Sequence, residues 1–104
     1  MRDFDITCAD LKKRLSAGTV LVDVREPAEF QIANLGGKLI PLSELPDRLN
    51  ELSKDSEIVV HCHHGGRSAM AVEFLRAQGF SKVWNLAGGI DAWSHEIDAA
   101  IPRY

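Results

Sequence analysis

The stretch Ile58-Val59-Val60-His61-Cys62-His63-His64-Gly65-Gly66-Arg67-Ser68 constrains the fold of this chain more than any other. Its β-branched apolar start is too short for a helix and reads as a buried strand. Two glycines then break the run, and Ser68-Ala69-Met70-Ala71-Val72-Glu73-Phe74-Leu75 carries apolar residues at helical spacing. The pattern predicts a strand, a tight loop and a helix, with a thiol at the strand's end.

Similar alternation runs through the chain. Phe4-Asp5-Ile6 predicts a short first strand, and Thr7 is placed as an N-cap with Asp10 in capping-box position. The helix it opens passes through Leu11 and Leu15 and stops at Gly18. Val20-Leu21-Val22-Asp23-Val24 is a continuous apolar strand of the kind buried on both faces. Pro27 suits the first turn of a helix from Glu26 to about Ala33, and Lys38-Leu39-Ile40-Pro41 reads as a short strand ended by its proline. Ser43 is expected to cap a third helix, with Pro46 in its first turn and Leu45, Leu49 and Leu52 on one face. The helix after Cys62 ends at Gly79, and Val83-Trp84-Asn85-Leu86 is the last strand. Gly88-Gly89 turns it into a short closing helix, Ile90-Asp91-Ala92-Trp93, before the tail Ile101-Pro102-Arg103-Tyr104.

Strands alternating with helices over short connections predict an α/β fold, with a mainly parallel sheet and helices on both faces. In such sheets the site lies outside the carboxyl ends of the strands. Three strand ends are then candidates: Asp23-Val24-Arg25, Cys62 with its loop, and Leu86-Ala87-Gly88-Gly89. Only the loop carries a nucleophile.

A helix N-terminus directs unpaired N–H groups and partial positive charge at whatever precedes it. A Gly-containing turn can curl such amides into an anion cradle. A thiol set there is favoured as its thiolate, and Arg67 adds a permanent planar cation. The alternative, a structural cysteine buried at a strand end, accounts for neither the glycines nor the arginine. A nucleophilic Cys62 that binds or carries an anion is the favoured reading.

With 104 residues the chain has room for one domain, 1–104, and one core. Its 45% hydrophobic and 26% charged content suits a globular protein and argues against disorder. A formal charge of -3 gives no basic field for nucleic acid or an acidic membrane surface, so neither is an expected partner. Met1-Arg2-Asp3-Phe4-Asp5 does not begin a signal peptide, no apolar run approaches a membrane span, and a cytoplasmic location is expected. Cys8 and Cys62 form no disulfide scaffold; Cys8, beside the first helix, reads as inert.

Three segments together resemble the rhodanese sulfurtransferase family: Asp23-Val24-Arg25-Glu26, Cys62 through Arg67 with Ser68, and Trp84-Asn85-Leu86-Ala87-Gly88-Gly89-Ile90-Asp91-Ala92-Trp93. They occur in the family's order through nearly the whole chain. The resemblance implies a three-layer α/β/α single-domain rhodanese with a five-stranded parallel sheet. It also implies that Cys62 takes a sulfane sulfur from a small donor, thiosulfate or a persulfide, and holds it as a persulfide. The outer sulfur then passes to cyanide in an assay, or to a thiol or a sulfur-relay protein in the cell, by double displacement. His63, His64, Gly65, Gly66, Arg67 and Ser68 match the segment whose amides surround the transferred sulfur. Asp23 and Arg25 match supporting positions that brace the loop.

Two departures bear on the substrate. Ile32-Ala33-Asn34-Leu35-Gly36-Gly37-Lys38-Leu39-Ile40-Pro41-Leu42 replaces the family's frequent His-Ile-Pro-Gly-Ala-like segment. It looks more like the rhodanese modules found with ubiquitin-activating-like adenylyltransferases. Thiosulfate-preferring members often place fixed positive charge after the cysteine, whereas His63 and His64 offer charge that is conditional near neutrality.

Two rival functions remain. A persulfide carrier without turnover of its own would need the same Cys62 and cradle. Cysteine-dependent phosphatases and arsenate reductases place five residues between cysteine and arginine; here four intervene, a narrower cradle suited to one sulfur atom. The run His61 to His64 contains metal-ligand types, but neighbours in sequence converge poorly on one ion. No metal and no cofactor is expected. His61 reads as a hydrogen-bonded strand residue, His95 as an exposed helix end, and Phe74, Trp84 and Trp93 as core or rim aromatics.

Overall fold

The computed structural model describes residues 1–104. Five strands form one sheet: β1 (Asp5–Ile6), β2 (Val20–Asp23), β3 (Lys38–Leu39), β4 (Ile58–His61) and β5 (Val83–Leu86). Four α-helices lie between and after them: α1 (Cys8–Ser16), α2 (Pro27–Ile32), α3 (Gly66–Ala77) and α4 (Gly89–Glu96). The sheet order is β1-β5-β4-β2-β3 and every pairing is parallel. The expected five-stranded parallel α/β architecture is therefore the one observed.

Side chains that alternate along the central strands divide the core in two. Val22, Ile58, Val60 and Val83 face one layer with Ala69, Val72 and Leu75 of α3 and Leu45. Leu21, Val59 and Leu86 face the other with Cys8 and Leu11 of α1 and Trp93 of α4. This double burial explains why β2 and β4 read as unbroken apolar runs.

The local signals at the ends of elements had mixed outcomes. Thr7 caps α1: its hydroxyl accepts from the Asp10 amide, and the Asp10 side chain returns to the Thr7 amide. Pro27 opens α2 as its spacing suggests. The third predicted helix is instead a 3₁₀ segment, Leu42–Glu51, kinked at Arg48 and capped by the backbone of Pro41 rather than by Ser43. Pro46 inside it lacks an N–H, which removes a donor from any regular α-helical ladder there. The closing helix runs on to Glu96, past the predicted Trp93.

Chain direction positions the site. From β2 the chain moves outward to β3, whereas from β4 it moves to β5 on the other side. The loops after β2 and β4 thus separate at neighbouring strand ends, the kind of crevice where open α/β sheets bind ligands. No helix is long and apolar enough to cross a membrane.

Candidate active site

Cys62 follows β4 directly, and its side chain is almost fully enclosed, at 1% exposure. Its sulfur nevertheless faces donors rather than apolar groups alone. The Gly65 amide donates to Sγ at 3.1 Å and the Ser68 amide at 3.4 Å, and the Ser68 hydroxyl lies at 3.3 Å. Gly65 reaches this position with φ +111°, a left-handed backbone that a side chain would strain, and it serves as the N-cap of α3. Of the predicted cradle segment, Gly65 and Ser68 supply the amide hydrogen bonds to the sulfur.

Asn85, one strand away on β5, holds the cradle in place. Its Oδ1 accepts from the Ser68 hydroxyl at 2.5 Å, while its Nδ2 donates to Asp5 Oδ1 at 2.8 Å and to the Gly65 carbonyl at 3.3 Å. All polar atoms of this fully buried amide are thereby used. Sequence reasoning gave Asn85 no role, although a polar residue inside an apolar strand was a signal.

The loop is clamped from the other side by α4. Ile90 N–H donates to the Cys62 carbonyl at 2.9 Å and Asp91 N–H to the His63 carbonyl at 3.1 Å. Gly89 permits this approach: a Cβ there would stand 2.5 Å from the Cys62 oxygen and 2.4 Å from the His63 oxygen. The double glycine predicted as a turn is also the place where helix and loop meet.

Arg67 does reach the rim, but its charge is not free. Both of its terminal nitrogens donate to Glu29, at 2.7 and 2.9 Å. That guanidinium is the main reason the Glu29 carboxyl is lowered to about 2. Tyr104 joins the same group: its hydroxyl donates to Glu29 at 2.8 Å and accepts from Arg25 at 2.7 Å, and its ring stacks on His63 at 4.0 Å. Neither Glu29 nor Tyr104 carried a sequence signal, because both arrive from distant segments.

Asp23 and Arg25 are fully buried and bind each other through two nitrogens, at 2.9 and 2.7 Å. Arg25 also donates to the Ala33 carbonyl at 2.7 Å. The pair braces the end of β2 and makes no hydrogen bond to the segment 62–68. His61 lies in β4 as predicted, but its ring does not have the expected hydrogen bond. Both nitrogens are buried without a partner, and Nε2 is 3.7 Å from Asp23 Oδ2. Burial, working against the pull of Asp23, lowers the imidazole to about 4 and keeps it neutral. Burial, and then Glu96, push the Cys8 thiol up to about 11, which suits its expected inertness.

His63 and His64 lie on the outer side of the loop, their rings 3.9 Å apart. Asp91 of α4 comes beside them, an association that the spacing within 61–64 did not reveal.

The rhodanese-like domain profile matches residues 7–96. The chain is similar to a sulfurtransferase of Allochromatium vinosum, with 38% identity over 103 residues that cover 95% of this chain and 96% of that protein. It is 43% identical over 89 residues to the rhodanese-like/PpiC domain-containing protein 12 of Arabidopsis thaliana, covering 81% of this chain but 30% of the longer relative. Among solved structures, a rhodanese-related protein from Thermoplasma volcanium superposes with a TM-score of 0.83 at 38% identity, covering 89% of this chain and 92% of that one.

Proposed function

The chain belongs to the rhodanese-like family, and from that premise we propose that Cys62 accepts a sulfane sulfur as a persulfide and hands it to a thiophilic acceptor. Relatives named as sulfurtransferases and as a sulfur carrier support a role in sulfur transfer or carriage. The observation that carries the finer reading is the pair of loop amides aimed at Sγ, with the Ser68 hydroxyl beside them at 3.3 Å. Such donors stabilise negative charge at the attacking sulfur, and afterwards on the persulfide, without reorganising.

The chemistry is two displacements at sulfur. The Cys62 thiolate attacks the outer sulfur of thiosulfate, the S–S bond of the donor breaks, and sulfite leaves with the electron pair. Cyanide or a thiolate then attacks the outer sulfur of the persulfide, and the Cys62 thiolate is the leaving group. A protein or small-molecule persulfide as donor loses a thiolate in place of sulfite.

The rim bears on donor choice. Arg67 is neutralised by Glu29, Arg25 by Asp23, and Asp91 adds a carboxylate. A thiosulfate dianion therefore meets little uncompensated positive charge, which favours persulfide donors and relay from a partner protein. Comparing thiocyanate formation with thiosulfate and with a persulfidated donor protein tests this reading. Faster loading from the persulfide supports it, and thiosulfate saturating at lower concentration opposes it. Loading without release to any acceptor would favour the carrier reading, in which Cys62 only transports sulfur.

A further inference from the structure

Three of the chain's four histidines gather at one place outside the cradle. His63 and His64 follow Cys62, His95 lies on α4, and Asp91 stands between them one helical turn before His95. Asp91 Oδ2 is 3.8 Å from His64 Nε2 and 4.0 Å from His95 Nε2. One ligand atom from each of His63, His64 and Asp91 falls within 4.8 Å of the other two.

These separations do not match direct hydrogen bonds, which would close to about 2.9 Å. They stand nearer the edge of a coordination tetrahedron, about 3.4 Å when the bonds to an ion are near 2.1 Å. The His63 and His64 rings stack 3.9 Å apart with their planes inclined by 28°, and one nitrogen of each lies within 4.8 Å of an Asp91 oxygen. The supporting backbone is also fixed. Asp91 N–H is bonded to the His63 carbonyl and Ile90 N–H to the Cys62 carbonyl, which ties the two ligand-bearing segments together. Asp91 Oδ1 is engaged elsewhere, by Arg103 at 3.5 Å, and the His63 ring also stacks on Tyr104 at 4.0 Å.

We propose that His63, His64 and Asp91 form a binding site for a divalent transition-metal ion of the zinc class. Imidazole with one carboxylate suits Zn²⁺, Co²⁺ or Ni²⁺ and disfavours the hard ions Mg²⁺ and Ca²⁺. An ion held there would pin the loop after Cys62 to α4 and stand at the rim that a sulfur donor crosses.

The test separates this site from the thiol, itself a metal ligand, and from sulfur transfer. Tag-free protein carrying Cys62→Ser is titrated with Co²⁺ under visible absorption, and Zn²⁺ is then added to displace it. The site predicts one equivalent bound with a Kd below about 100 µM, in the absorption range of nitrogen and oxygen ligands. His64→Ala and Asp91→Asn in the same background should each weaken binding about tenfold or more. His64 is 67% exposed, so its truncation leaves the fold intact. Absence of one-equivalent binding, or binding that both variants retain, overturns the proposal. Because the protein under test lacks the thiol, failure of the sulfur-transfer reading leaves this result standing, and the reverse also holds.

Discussion

The Ser68 hydroxyl lies 2.5 Å from Asn85 Oδ1 and 3.3 Å from Cys62 Sγ, so a single proton serves two acceptors. The shorter contact assigns that proton to Asn85. The Ser68 oxygen can then accept from the Cys62 thiol, and the Gly65 and Ser68 amides remain as the donors to the sulfur. The alignment of the cradle therefore depends on a side chain that never touches the sulfur.

Asn85→Leu keeps the branched shape but removes the acceptor of the Ser68 hydroxyl and the donor to Asp5 Oδ1 inside the protein. It should cost about 2–3 kcal/mol of stability by denaturant unfolding and slow the loading of sulfur on Cys62. Unchanged unfolding together with unchanged loading would show that Asn85 is not holding the cradle.

The Arg67–Glu29 pair predicts effects of opposite sign. Arg67→Ala leaves the Glu29 carboxylate without its guanidinium counter-charge at the rim and should raise the KM for thiosulfate. Glu29→Gln releases the guanidinium and should lower it, each by roughly two- to fivefold. Steady-state kinetics at low salt check this; two changes in the same direction contradict it.

Glycines in the site differ in what they tolerate. Gly89, at φ +61°, faces two carbonyl oxygens within 2.5 Å of an added Cβ, whereas an added Cβ at Gly66 meets nothing within 4 Å. Gly89→Ala should lose more than about 2 kcal/mol, and Gly66→Ala should stay within about 0.5 kcal/mol of the parent or gain. Equal thermal shifts would contradict the clamp between α4 and the loop.

His61 links stability to pH. Its folded imidazole titrates at about 4, below the ordinary 6.5, because burial disfavours its charged form. The unfolded chain therefore takes up a proton that the folded chain refuses. This contribution is fully present above pH 6.5 and is lost as pH falls to about 4, at up to about 1.4 kcal/mol per pH unit. Denaturant unfolding across that window should show a flatter slope for His61→Leu. Parallel slopes would mean that the ring titrates normally.

The strands, the capped first helix and the thiol loop were legible because each is specified by neighbouring residues: apolar runs, the Thr7–Asp10 reciprocity, and glycines after Cys62. The 3₁₀ segment was misread as a helix because Ser43 imitates a cap while Pro41 and Pro46 govern the backbone. Glu29 and Tyr104 were invisible, and the partners of Asn85 could not be read, for another reason. Glu29 meets Arg67 across 38 positions, Asn85 meets Ser68 across 17, and Tyr104 meets Arg25 across 79. Contacts of that range follow from strand order, which no local pattern encodes. Asp23 and Arg25 were expected to brace the loop; the structure buries them as a pair at the end of β2, bonded to each other and to the Ala33 carbonyl, with no hydrogen bond to residues 62–68.

Intact mass measurement after incubation with a persulfide donor, then with cyanide, tests the central claim most directly. The protein should gain the mass of one sulfur atom and lose it again as thiocyanate forms, while Cys62→Ser shows neither change. A Cys62→Ser variant that still acquires and releases that sulfur would contradict the account.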